Sequence, residues 1–145
     1  MANVSNPELA AAYQDVLTDA TETNWCLFGY EGASNIVLQG KGTGGLAELV
    51  GNFAADQCQY AYLRVLSGDE ESKRAKFVFI SWCGESVGAL KRAKMSVHKA
   101  SVKQVIKNYG VEVHATTHDE LDESALLTKI KKSSGADYSG NPGSQ

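Results

Sequence analysis

The sequence predicts an α/β (α+β) protein: a five-stranded mixed sheet flanked by helices on both faces. Three observations carry this. Segments of helical and strand periodicity follow one another in the order α-β-β-α-β-β-α-β-α. The strand from Lys76 to Cys83 is apolar on both parities, with Phe77 and Phe79 facing one way and Val78, Ile80 and Trp82 the other, so both sheet faces need cover. The chain has 145 residues, 43% hydrophobic and 21% charged, enough to bury one core without metal or disulfide support. The expected organisation is one domain over residues 1–132 and an unstructured Gly/Ser/Asn-rich tail over 133–145.

Asn6-Pro7-Glu8 opens the first helix, with Asn6 as cap, Pro7 at the first position and Glu8 facing the positive helix end. Leu9, Ala12, Tyr13, Val16 and Leu17 then give it one apolar face. Trp25–Tyr30 and Ile36–Leu38 read as a hairpin about the Glu31-Gly32-Ala33-Ser34 turn. Gly40 to Gly45 reads as a flexible loop, and Leu46, Leu49, Val50 and Phe53 mark a short amphipathic helix. Gln59–Leu66 and Lys76–Cys83 are strands joined by a charged tip. Residues 86–109 form a helix with Met95, His98, Val102, Val105, Ile106 and Tyr109 on one face, a break at Ser96 being one option and Gly110 the closing cap. Val111, Val113 and Ala115 alternate with Glu112 and His114 as an edge strand, parallel to its predecessor because a helix intervenes. A last helix covers Asp119–Lys132, acids first and lysines last.

The formal charge of −3 hides an uneven distribution. Residues 1–72 carry a net −8, residues 73–107 a net +8, and residues 108–145 a net −3. Lys99, Lys103 and Lys107 form an i, i+4, i+8 stripe that Arg92 extends. A positive face of this kind suits an acidic macromolecule. Nucleic acid is disfavoured, because the pI is near 5.6 and no aromatic ladder interleaves with the lysines. No run approaches the roughly 18 apolar residues of a membrane span, and the first residues lack the basic and apolar regions of a signal peptide. Cys26, Cys58 and Cys83 are odd in number and far apart, which predicts reduced thiols of a cytosolic protein.

Two constellations have an enzyme-like form. Gly40, Gly42 and Gly45 match G-x-G-x-x-G between a strand and a helix, with Asp69 further on, the pattern by which a backbone approaches a pyrophosphate. The preceding strand is a hairpin return, however, and the chain has no room for a substrate domain. Cys83 with His98 or His114 has the residue types of a nucleophile and base, yet nothing supplies a third orienting group. His114 and His118 straddle a strand end, which is not metal-ligand spacing on a helix. The prediction is therefore no cofactor and no metal.

Lys73-Arg74-Ala75-Lys76-Phe77-Val78-Phe79-Ile80-Ser81-Trp82 followed by Gly88-Ala89-Leu90-Lys91-Arg92-Ala93-Lys94-Met95 resembles the actin-depolymerising factor (ADF/cofilin) homology domain family. The Gly68-Asp69 turn, the Ser81-Trp82-Cys83-Gly84-Glu85 step and the Lys131-Lys132-Ser133-Ser134-Gly135-Ala136-Asp137-Tyr138 ending add to a likeness that spans about residues 8–138. The resemblance implies a five-stranded mixed sheet between helix pairs and actin as the acidic partner. It implies that the long helix inserts between actin subdomains through Arg92, Lys94 and Met95, with Lys99 and Lys103 further along. A second, filament-specific site is implied at Lys73, Arg74 and Lys76, and near the last helix at Lys131 and Lys132. The branch of the family that the motifs fit binds filamentous actin and does not depolymerise it. The expectation is a monomeric, cytoplasmic, non-enzymatic protein on the side of actin filaments, non-severing and able to modulate barbed-end capping, with neither nucleic acid nor membrane as partner. The alternatives are a cofilin-like monomer-binding or severing protein and a nucleotide-binding enzyme using the Gly40–Gly45 loop.

Overall fold

The computed structural model describes residues 2–18, 21–67 and 74–134, and only the backbone of residues 67, 74, 133 and 134. The elements are α1 (Pro7–Leu17), β1 (Trp25–Glu31), β2 (Asn35–Gly42), α2 (Gly45–Val50), β3 (Cys58–Ser67), β4 (Arg74–Cys83), α3 (Ala89–Val102), β5 (Val111–Ala115), a 3-10 turn (His118–Leu121) and α4 (Glu123–Ser134). The strands form one sheet in the order β2-β1-β3-β4-β5. β1/β2, β1/β3 and β3/β4 are antiparallel, and β4/β5, joined through α3, is parallel. The predicted five-stranded mixed sheet is present.

Side-chain parity divides the core into two layers. On one face, Phe28, Tyr60, Tyr62 and Phe79 pack under Leu9, Tyr13 and Val16 of α1 and under Met95 and Val102 of α3. On the other, Leu27, Leu63, Val78, Ile80 and Trp82 pack under Leu49 of α2 and under Leu126 and Ile130 of α4. Trp82 stacks on Phe53 with ring centroids 4.8 Å apart, and its Nε1–H donates to the Ala54 carbonyl at 2.7 Å. α1 starts as its sequence requires, with the Asn6 Oδ1 accepting from the Glu8 N–H at 2.9 Å and Pro7 in the first turn.

Four local expectations change. β2 runs on to Gly42, so Gly40, Lys41 and Gly42 are not loop but pair with Leu27, Cys26 and Trp25. Glycine is needed at position 42 because a side chain there would strike the Glu48 carboxylate and the Trp25 indole. α3 stops at Val102, short of 109 and with no break at Ser96. The turns that follow carry Ile106 back into the core, with Val105 and Ile106 N–H both donating to the Val102 carbonyl at 2.9 Å. Gly110 therefore does not cap the helix; its N–H donates to the Phe77 carbonyl at 2.9 Å and starts the approach to β4. Finally, α4 begins at Glu123, because Thr117 and Glu120 form a capping box on a separate 3-10 turn. α4 extends to Ser134; the tail expected from residue 133 lies otherwise outside the described residues.

Candidate functional site

The basic residues of α3 separate into two flanks. At about 100° per residue, Arg92, Lys99 and Lys103 follow one flank and Leu90, Lys94 and Val97 another, with Met95, His98 and Val102 facing the sheet. On the first flank, Glu112 of β5 holds the two distal lysines: Lys103 Nζ lies 2.7 Å from Oε1 and Lys99 Nζ 3.0 Å from Oε2. Burial works to raise the Glu112 pKa, but the hydrogen bonds from Lys103 and Lys99 outweigh it and the carboxyl sits below its ordinary value. The Glu112 hydrogen bond lifts the Lys103 ammonium above its own. Arg92 is exposed, and its Nη2 donates to the Val87 carbonyl at 3.2 Å, which steadies the guanidinium at the helix start.

On the second flank, Lys94 is exposed, and Leu90 and Val97 are exposed large apolar side chains at 71% and 62%. Met95 is 3% exposed and lies within the core under α3. This corrects the expected apolar contact: Leu90 and Val97, not Met95, offer apolar surface on this helix. The signal was available in the sequence, since Leu90 and Val97 are an i, i+7 pair off the Met95-His98-Val102 face.

α3 is fixed to the sheet by a polar chain that is buried at Tyr60 and half-buried at Tyr30. The Tyr60 hydroxyl donates to the Met95 carbonyl at 2.8 Å, Tyr30 and Tyr60 hydroxyls lie 3.2 Å apart, and the Tyr30 hydroxyl is 2.8 Å from His98 Nδ1. Burial raises both tyrosine pKa values and lowers that of His98, so the chain is neutral at pH 7.

At the hairpin, Lys76 pairs with Val65 near the start of β4 and is half-buried, so the ladder holds its backbone. The Arg74 backbone pairs with Ser67, while Lys73 lies outside the described residues. Lys131 and Lys132 are exposed in the last turn of α4, where the helix dipole favours cations. α4 covers the sheet face opposite α3, so these lysines and the Arg92–Lys94 region do not form one patch.

The enzyme-like constellations come apart. In the glycine segment, Glu48 Oε1 accepts from Gly44 N–H at 3.0 Å and from Trp25 Nε1–H at 2.8 Å, and Asn24 Oδ1 accepts from Gly45 N–H at 2.9 Å. Those hydrogen bonds hold the Glu48 carboxyl below its usual value, and an internal carboxylate fills the position a phosphate would need. Asp69 lies outside the described residues. His98 Nδ1 lies 2.8 Å from the Tyr30 hydroxyl and His114 Nδ1 3.0 Å from Ser81 Oγ, while the Cys83 sulfur meets Cys58 at 3.9 Å, so the structure joins neither imidazole to Cys83 by a hydrogen bond. Among the described residues no group of three His, Cys, Asp or Glu could hold a metal, and no helix is long and apolar enough to cross a membrane.

Residues 1–131 match the model of the cofilin/tropomyosin-type actin-binding protein family. The chain belongs to that family, and the fold described above is its ADF-homology fold. Within the family its likeness runs to coactosin. It is 66% identical to coactosin of Dictyostelium discoideum over 142 residues, 97% of each chain. Human coactosin-like protein superposes with a TM-score of 0.85 at 32% identity, covering 91% of this chain and 99% of that one. Mouse coactosin, described as an actin filament binding protein, superposes with a TM-score of 0.74 at 34% identity over 92% of both chains. The chain is thus an actin-binding protein of the cytoskeleton.

Proposed function

We propose that this protein binds the side of actin filaments in the cytoplasm, as a monomer and without catalysis, cofactor, nucleic acid or membrane. The observation that carries this reading is the exposed outer surface of α3, where Leu90 and Val97 lie beside Lys94 and between it and the Arg92 flank. Cations around an apolar centre suit an acidic protein surface, the charges giving steering and register and the apolar pair giving desolvated contact. Lys76, with Arg74 and Lys73 at the hairpin and Lys131 and Lys132 on α4, supplies the filament-specific contact. Lys99 and Lys103 contribute less, because Glu112 already neutralises part of their charge. Met95 acts only as a core residue beneath the helix. The actin filament binding ascribed to mouse coactosin favours filaments over monomers. Absence of severing and an influence on barbed-end capping belong to the same reading.

High-speed co-sedimentation with filamentous actin, beside a monomer-binding assay, tests it. The expected result is saturable pelleting with filaments, unchanged filament mass and no monomer complex. Monomer binding with loss of filament mass would replace it by a cofilin-like reading. Seeded elongation with a capping protein present reads the effect at barbed ends.

A further inference from the structure

We propose that Cys58 and Cys83 form a modification site, a cross-strand dithiol that closes to an intramolecular disulfide by exchange with a low-molecular-weight disulfide such as oxidised glutathione. The two residues, 25 apart in sequence, stand directly opposite each other where β3 begins and β4 ends. The Gly84 N–H donates to the Gln57 carbonyl at 3.0 Å, which makes Cys58 and Cys83 a non-hydrogen-bonded pair. Such pairs bring Cα atoms to about 4.5 Å, inside the range of about 4.4–6.8 Å that disulfides use. The sulfurs are 3.9 Å apart, and rotation at the strand ends has to bring them to about 2.05 Å.

Access fixes the order of events. Cys83 is fully buried at 0% exposure, whereas Cys58, at 8%, lines a cleft of about 450 Å³ beside α3, together with Tyr30, Asp56, Lys91 and Lys94. The two lysine ammoniums in that cleft suit the carboxylates of a glutathione-type disulfide. The Cys58 thiolate attacks one sulfur of the incoming disulfide, whose S–S bond breaks and whose other half leaves as a thiolate that takes up the proton Cys58 lost. Cys83, giving up its proton, then attacks the Cys58 sulfur, and the second half leaves as a thiol. The protein loses two protons and two electrons, and the small disulfide takes up both to become two thiols. Cys26, on β1 with 0% exposure, takes no part.

Several titratable groups surround Cys58: Cys83 on β4, Lys91, Arg92 and Lys94 on α3, Tyr30 on β1, Tyr60 on β3 and Asp56 just before β3. Burial first, and the neighbouring Cys83 second, push its thiol up to about 12 against the pull of Lys91 and Arg92. Exchange is therefore slow at neutral pH, and its rate rises about tenfold per pH unit below that value, as the thiolate fraction does.

The test is to incubate the full reduced chain with oxidised glutathione between about pH 7 and 9 and follow intact mass without reductant. The expected product is lighter by two hydrogens, and its peptide map joins the Cys58 and Cys83 peptides with Cys26 free. Cys83→Ser should instead accumulate one glutathionyl group on Cys58, and Cys58→Ser none. A stable mixed disulfide on Cys58 in the parent chain, a linked dimer, a bond to Cys26, or an unchanged mass overturns the proposal. If the serine variants fail to fold, the peptide map of the parent chain decides it alone.

Discussion

Glu112 and Lys103 lie 2.7 Å apart and tie the end of α3 to the edge strand β5, with Lys99 adding a second contact to the same carboxylate. The three side chains remain about one-third exposed, at 31–33%, so the cluster contributes only about 0.5–1 kcal/mol after solvent screening. Glu112→Gln should therefore lower Tm by a few degrees. The Glu112 pKa is lowered on folding, so its contribution is present above the ordinary value of 4.5 and is lost as pH falls through the lower folded value. The Lys103 pKa is raised, so its contribution persists up to 10.5 and is lost as pH rises through the higher folded value. The same variant removes a negative charge from the basic flank and should bind filaments more tightly. Thermal melts across pH and co-sedimentation measure both; a variant that loses stability and binding together would place Glu112 in the interface.

Met95 and Leu90 stand one helical turn and a little apart, yet predict opposite outcomes. Met95→Ala empties a core position and should cost about 2–5 kcal/mol, with the folded fraction still binding filaments. Leu90→Ala should change stability by no more than about 0.5 kcal/mol while weakening filament binding. Denaturant titration and co-sedimentation separate the two. Loss of binding by well-folded Met95→Ala, with Leu90→Ala unaffected, would restore Met95 as the anchor.

The sheet and its two covered faces were legible because β4 carries apolar residues on both parities: Phe79 packs under α1 and α3, Val78 and Trp82 under α2 and α4. Where the reading failed, a long-range partner decided a local question. Gly40 and Gly42 look like loop until Leu27 and Trp25 pair with them. Val105 and Ile106 continue the helical period, but turns after Val102 hold Ile106 in the core, and Gly110 serves the β4 ladder. At the site, the cations were legible as charge, but their availability was not. Only the fold sets Glu112 beside Lys99 and Lys103 and brings Cys58 opposite Cys83, whereas the inward turn of Met95 was already written in its apolar helix face.

Filament binding made through exposed lysines and arginines should weaken steadily with added salt. The Debye length shrinks from about 10 Å at 0.1 M to about 3 Å at 1 M, which screens solvent-exposed pairs. Co-sedimentation across that range measures the effect. Affinity unchanged by salt would shift the interaction to Leu90 and Val97 alone and remove the electrostatic account.

Lys76 should matter more than Lys73 at the hairpin. Its backbone is fixed by pairing with Val65, and its half-buried stem restricts the side chain before any partner arrives. A cation already held in place loses less entropy on docking than one further out in the charged tip. Lys76→Ala should cost about 2 kcal/mol of filament binding, roughly a thirtyfold loss, if its partner carboxylate is left desolvated. Lys73→Ala should cost less. The fold should survive Lys76→Ala, because that side chain is in neither core layer, and thermal melts of both variants provide the control. Full binding by folded Lys76→Ala, with loss on Arg92→Ala or Lys94→Ala, would leave α3 as the whole contact and remove the hairpin from it. The monomer-binding assay, run on the same preparations, then decides whether α3 alone still selects filaments, because a complex with monomers would replace the filament reading by a cofilin-like one.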